Sequence, residues 1–568
     1  MFDRIIRGGR VVDGTGSAPR TADIAMQDGR IIEVGRVSGS AREEVDADGL
    51  IVTPGFVDIH THYDGQATWD SHLAPSCYHG VTTLVMGNCG VGFAPVRPGQ
   101  EDFLIQLMEG VEDIPGTALH EGMAWEWETF PDYLDALERR TFGLDVATQV
   151  PHAAVRVYVM GERGANNEPA TPEEIARMAA LVKEGIRAGA LGFSTSRTLA
   201  HRAITGEPVP GTFAAEDELF GIGRVLGELG KGVFEVAGAG AAGEDIAAPK
   251  AELDWMRRLS KEISRPVTFA MLQVDAAPGL WRELLELSAQ AVEEGAQVYP
   301  QVAGRPFGML IGHSSRIHPF ADRPTFAALQ ELPFAERISR LRDPAVKRRI
   351  LEERNPQTLS MLLNQLGRLF PMGDPPNYEP HQSDSIAAIA TREGRDSEDF
   401  LYDRMLERDG RELFLFPILN YSHLNADHIR EMIYHPAAVL GLGDGGAHCG
   451  MICDASIQTF MLTHWARDRT RGDRIPLEFV VRRMTKDTAE LYGLTDRGTL
   501  KPGMRADVNV IDHDHLRLEL PEMVFDLPAG GRRLMQRARG YRHTYVAGTE
   551  VIRHDETTRA LPGRVVRG

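Results

Sequence analysis

The sequence predicts an α/β protein, a TIM-like (β/α)8 barrel carrying a small β-sandwich formed by both chain termini, with a helical insertion near the barrel mouth. Three observations lead there. Short strands broken by turns fill the first fifty residues and return at the far end of the chain. Between them, strand and helix patterns alternate about eight times, which calls for a parallel sheet with helical crossovers. A doubly wound open sheet is the rival arrangement of the same elements.

The N-terminal strands are read at Asp3–Ile6, Arg10–Val12, Ile24–Met26 and Ile31–Val34, with a turn at Gly8-Gly9 and a hairpin signal at Asp28-Gly29. The closing segment has the same texture at Ala506–Ile511, His543–Val546 and Glu550–Arg553. Neither end has enough strands to bury a face alone, so the two pair into one sandwich. This assigns residues 1–54 and 495–568 to the sandwich and 55–494 to the barrel.

Candidate barrel strands are Gly55–His60, Val81–Met86, Val155–Met160, Leu191–Thr195, Val233–Val236, Val267–Met271, Gln297–Gln301, Phe414–Leu419 and Val439–Gly443. Nine candidates for eight places put one of them in an insertion. The clearest helix opens at Thr171-Pro172-Glu173-Glu174, an N-cap, a proline at N1 and a capping-box glutamate, followed by an apolar stripe at helical spacing. The stretch from about 305 to 412 is helical, charged and too long for a connection, and reads as a lid over the barrel mouth.

Composition narrows the function. Apolar residues make up 42% and charged residues 25% of the 568, as in an ordinary folded soluble protein. A formal charge of −19 repels phosphate backbones and argues against a nucleic-acid partner, solubility being its plain meaning. No segment has the apolar run of a signal peptide or a membrane span, so no membrane partner and a cytoplasmic location are expected. Cys77, Cys89, Cys449 and Cys453 are too few for a disulfide scaffold, and as reduced thiols they are free to bind metal.

Chemistry concentrates at three strand ends. Pro54-Gly55-Phe56-Val57-Asp58-Ile59-His60-Thr61-His62 sets two histidines at i and i+2, which points both imidazoles to one face of a strand. At the C-terminal end of a first barrel strand they would face the place where barrel active sites lie. Spacing alone is not diagnostic: with 19 histidines, chance predicts roughly 0.6 such pairs. A second pair, His513-Asp514-His515, follows a sandwich strand and reads as surface. A second strand ends in Gly87-Asn88-Cys89-Gly90, where Cys89 is either a small core residue or a thiolate beside a cation. An apolar strand ends in Gly443-Asp444-Gly445, where Asp444 either caps a turn or faces a cation. Each has a plain structural alternative; together they point to a site.

These motifs, with Gly192-Phe193-Ser194-Thr195 and the closing Gly498-Thr499-Leu500-Lys501-Pro502-Gly503, resemble the amidohydrolase superfamily, and within it the N-acyl-D-amino-acid deacylases. The resemblance spans nearly the whole chain. It implies that His60 and His62 hold one metal, that Cys89 ligates or bridges, and that Asp444 ligates and shuttles protons. It also implies two further histidines ending strands five and six. This chain instead has Ala237 and Met271 there, and Gln273 where relatives tend to carry a lysine. Glu235 is the best substitute ligand, being on the Ala237 face one layer deeper; Gln273, His152, His201 and His448 are weaker candidates. With the lysine missing, Arg163 or Arg197 is left to meet a substrate carboxylate.

The expected enzyme is therefore a metal-dependent hydrolase of a non-peptide C–N (amide) bond, an N-acyl-D-amino-acid deacylase-like amidohydrolase using metal-activated water. It would hold zinc, as one or two divalent ions, on His60, His62, Cys89 and Asp444, with Asp444 as the catalytic proton carrier and a small-molecule amide as substrate. An amidase acting on another amide, cyclic amide or aryl conjugate is the alternative. A degenerate barrel that only binds a ligand is the third.

Overall fold

The computed structural model describes residues 1–353 and 362–568. Both termini build one nine-stranded sheet, in which Ile51–Pro54 lies antiparallel to Val508–Ile511 and parallel to the end of Phe2–Val11. Ile6, Ile24, Met26, Val52, Val508, Val510 and Tyr545 form its core, so each end of the chain buries apolar residues of the other. The expected turn at Gly8-Gly9 is instead a bulge inside one continuous strand, Phe2–Val11. Gly8 has φ +66, and a Cβ on Gly9 would stand 2.4 Å from Val52, so both glycines serve the bulge and its close packing. Ala41–Asp46, polar at most positions, is a further strand that the hydropathy pattern does not reveal.

Among the described residues, eight parallel segments form the barrel in chain order: Phe56–Asp58, Val81–Met86, Asp145–Thr148 with Val150–Pro151, Gly192–Ser196, Val233–Ala237, Val267–Ala270, Val298–Val302 and Val439–Leu440. The last closes on the first. Asp444 N–H donates to the His60 carbonyl at 3.0 Å and His62 N–H to the Gly445 carbonyl at 2.7 Å.

Two of the nine candidate strands lie elsewhere. Val155–Met160 belongs to the helix His152–Met160, and the third barrel strand precedes it at 145–151. Its valine alternation imitates a strand, but nearly every residue of that helix is buried, so no polar face marks its period. Phe414–Leu419 is a strand, but it pairs antiparallel with Phe307–Ile311 and Phe370–Pro371 outside the barrel. The helix Pro172–Ala188 forms with the full capping box of Thr171 and Glu174.

Between barrel strands seven and eight the chain leaves the barrel and builds a separate layer with its own core, including Ile311, Phe320, Phe326, Leu341, Leu369, Leu401 and Phe414. This layer contains the expected insertion, of which 354–361 lies outside the described residues, and it carries strands as well as helices. It rests on the loop after strand eight: Leu310 N–H donates to the Met451 carbonyl at 2.7 Å, and Arg316 N–H to the Gly450 carbonyl at 3.2 Å.

Candidate metal centre

The first barrel strand divides its side chains by period two. Val57 and Ile59 enter an apolar cluster with Val85, Val233 and Val439, while Asp58, His60 and His62 take the other face. His60 Nδ1 lies 2.9 Å from Gln301 Oε1 of strand seven; an amide oxygen only accepts, so Nδ1 carries the proton and Nε2 is left available as a ligand atom. Asp58 is buried beneath, accepting from His60 N–H at 3.2 Å and from Gln458 Nε2 at 3.0 Å. Burial raises its carboxyl to about 7. A Cβ on Gly443 would stand 2.5 Å from Asp58 Oδ2, which explains the glycine before Asp444.

Gly87-Asn88-Cys89-Gly90 makes a tight reversal at the end of strand two. Asn88 Nδ2 donates to the Thr61 and Val85 carbonyls at 3.1 and 3.0 Å, tying the turn to strand one. Cys89 is held at φ +56, a conformation that L residues adopt only under constraint, and its N–H donates to Glu235 Oε2 at 2.8 Å. Its Sγ then lies 3.4 Å from His60 Nε2. Asp444, also left-handed at φ +45, places Oδ1 3.6 Å from Nε2 of both histidines.

The ligand atoms of His60, His62 and Cys89 all lie within 4.8 Å of one another. A tetrahedral zinc with Zn–N of about 2.0 Å and Zn–S of about 2.3 Å requires ligand–ligand edges of about 3.3–3.6 Å. Three of the six edges, 3.4 Å from Cys89 to His60 and 3.6 Å from Asp444 to each imidazole, meet that requirement, and two imidazoles, a thiol and a carboxylate are a zinc-type donor set.

Electrostatics point the same way. Burial lowers His60 to about 4. Burial also works against protonating His62, yet the charges of Glu112 and Asp444 carry it to about 9. Asp444 is desolvated too, but the His62 contact and the charges of His60 and His448 hold it well below the usual carboxylate range. Burial, reinforced by Glu235, Glu112 and Asp444, keeps Cys89 a thiol in the absence of a cation.

The remaining candidates divide. His448 borders the cluster, with Nε2 3.9 Å from Glu112 Oε2 and 4.0 Å from Asp444 Oδ2. His201 Nδ1 is 3.0 Å from Ser196 Oγ. His152 is elsewhere, bonded to Thr195 and to Glu218, which also holds Arg156. Gln273 is occupied by the backbone of Ser422 and Pro278. Glu235 supports Cys89 through one oxygen while Oε1 has no hydrogen-bond partner among the described residues, and burial raises its carboxyl to about 8. Ala237 and Met271 are both 2% exposed and bring no ligand. Arg197 is bound by both oxygens of Glu252 and by the Ala214 carbonyl, and Arg163 by Glu168, Glu174 and Pro169. His513 reaches the Leu462 carbonyl and His515 is 82% exposed beside Asp512, so the second His-x-His pair is no site.

Sequence reasoning missed Glu112, Gln301 and Asp58. Glu112 carried a readable signal: it follows Leu104 and Met108 at intervals of four, on the buried stripe of the helix Glu101–Glu112.

The amidohydrolase family model matches residues 43–552, and the chain belongs to that family. It is 27% identical to the D-aminoacylase of Alcaligenes xylosoxydans xylosoxydans over 573 residues, covering 100% of this chain and 97% of the relative. It is 26% identical to the N-acyl-D-aspartate deacylase of the same organism, covering 99% and 95%. Among solved structures, a D-aminoacylase described as defining a novel subset of amidohydrolases superposes with a TM-score of 0.66 at 25% identity, covering 100% of both chains. The N-acyl-D-glutamate deacylase of Bordetella bronchiseptica, complexed with zinc and a phosphonate inhibitor, shares the fold with a TM-score of 0.65 at 24% identity over 100% of both chains.

Proposed function

We propose that this chain is a zinc-dependent amidohydrolase that cleaves the amide bond of a small N-acylated substrate, with residues 55–494 as its catalytic unit. The observation that carries this is the convergence of His60, His62 and Cys89, with Asp444 3.6 Å from both imidazoles. These four residues would hold the ion. When bound, zinc supplies Lewis acidity, activating water near neutral pH and polarising a carbonyl. Asp444 takes the proton of the attacking water and delivers it to the leaving nitrogen. Gln301 and Glu235 keep His60 and Cys89 in place. With Ala237 and Met271 at the ends of strands five and six, one tightly held ion fits the residues better than two. The cytoplasm is the expected location, since all four cysteines are free and buried, and among the described residues no helix is long and apolar enough to cross a membrane.

A second reading concerns the substrate. Gln273, Arg163 and Arg197 are all engaged by protein groups, so none of the three is placed to meet a substrate carboxylate. This favours an amide, cyclic amide or aryl conjugate without that group over an N-acyl-D-amino acid. Turnover of a panel holding both classes, before and after chelation and zinc restoration, tests both readings. Chelation-sensitive cleavage of any member supports the enzyme, and preference for the neutral members supports the second reading. No cleavage by zinc-loaded protein favours a barrel that binds without catalysing.

A further inference from the structure

We infer that Glu112 is the positioning residue of His62, accepting its Nδ1–H so that Nε2 faces the other ligand atoms. The inference rests on the zinc reading above and extends it to a residue outside the four ligands.

Glu112 is the last residue of the helix Glu101–Glu112 and is only 2% exposed. Its Oε1 lies 3.2 Å from His62 Nδ1, yet among the described residues neither atom has an aligned hydrogen bond, although both are buried. Two unsatisfied polar atoms at that separation are costly apart, and a small rotation of the imidazole joins them. The other imidazole shows the complete arrangement, with His60 Nδ1 on Gln301 Oε1 at 2.9 Å. Each histidine therefore has its own outer partner, a neutral amide for His60 and a carboxylate for His62. A carboxylate behind a metal-bound imidazole fixes its tautomer and makes it a stronger donor.

The helix end is clamped where this role needs it. Asp113 Oδ2 accepts from Gly450 N–H at 2.9 Å, and Arg316 of the inserted layer pairs with Asp113. The Glu112 carbonyl accepts from His448 N–H, joining the helix to the loop that carries Asp444. Glu112 thus couples His62 to the strand-eight loop.

The test is zinc affinity by competition with a chromogenic chelator on wild type, E112Q and E112D, with the histidine Nδ1–H resonances recorded on the zinc-loaded proteins. Glutamine keeps the shape and removes the charge, so E112Q should bind zinc about 10–100-fold more weakly and lose or shift the His62 resonance, with E112D recovering part of the affinity. E112Q affinity within threefold of wild type, with that resonance unchanged, overturns the role of Glu112 and leaves the zinc reading standing. A wild-type chain that takes up no zinc overturns both. If E112Q does not fold, E112D decides: affinity equal to wild type overturns the assignment, and a measurable loss supports it.

Discussion

Replacing Asp444 by asparagine removes one negative charge and very little else. The side chain keeps its size, and asparagine tolerates the left-handed φ of +45 that Asp444 adopts, where alanine would add strain. The link to His60 that closes the barrel runs through the Asp444 backbone N–H and is untouched. The variant loses the carboxylate that stands 3.6 Å from both imidazoles, and with it the base proposed above to take the proton from water and return it to nitrogen. A positioned general acid–base group is worth about 10²–10⁴ in rate. At about 1.4 kcal/mol per tenfold, the barrier should rise by about 3–5 kcal/mol. The assay is hydrolysis of the amide that wild type cleaves fastest, at saturating zinc, with bound metal and circular dichroism measured on the same samples. A fold equal to wild type with kcat reduced at least a hundredfold is expected. A kcat within threefold of wild type, with zinc bound, would refute the role of Asp444.

Two further outcomes follow from the same geometry. In the metal-free protein at pH 7, His62, raised to about 9, and the Cys89 thiol both carry protons that must leave before their atoms can ligate. Zinc uptake should therefore release about two protons and tighten as pH rises from 6 to 8. Calorimetry in buffers of different ionisation enthalpy measures this, and affinity independent of pH would contradict it. At strand seven, Arg305 is 1% exposed, stacked 3.8 Å from the Tyr378 ring centroid and paired with Asp454 at 2.8 Å. Asp454→Ala leaves that guanidinium uncompensated and should cost about 3–5 kcal/mol in urea unfolding, whereas a loss below about 1 kcal/mol would show that Ser456 and the Cys453 carbonyl suffice.

What the sequence made legible, and what it concealed, divides along physical lines. Period two on one strand brings His60 and His62 to one face, while Cys89 and Asp444 stood out only through their strand-end placement taken together with the family resemblance; the structure sets both beside the histidines. The left-handed backbone at Cys89 and Asp444 left no sequence trace beyond the adjoining glycines. The burial of Glu112 was readable, but its contact with His62 and that of Gln301 with His60 were concealed, because each joins the histidine to a different element, the helix Glu101–Glu112 and strand seven, which local periodicity does not encode. Val155–Met160 misled because a helix buried on nearly all sides loses its polar stripe, and its valines then read as a strand. The two-ended sheet was foreseen from the need of each terminus for a partner, while Ala41–Asp46 escaped because its exposed edge is built of arginine and glutamate.

His60, His62, Cys89 and Asp444 are proposed to hold one zinc ion together. The decisive measurement is elemental analysis of the chain purified without added metal, alongside a His60→Ala/His62→Ala variant shown by circular dichroism to be folded. About one equivalent of zinc is expected in wild type and none in the variant. Zinc retained by the folded variant, or none taken up by wild type even when supplied, would contradict it.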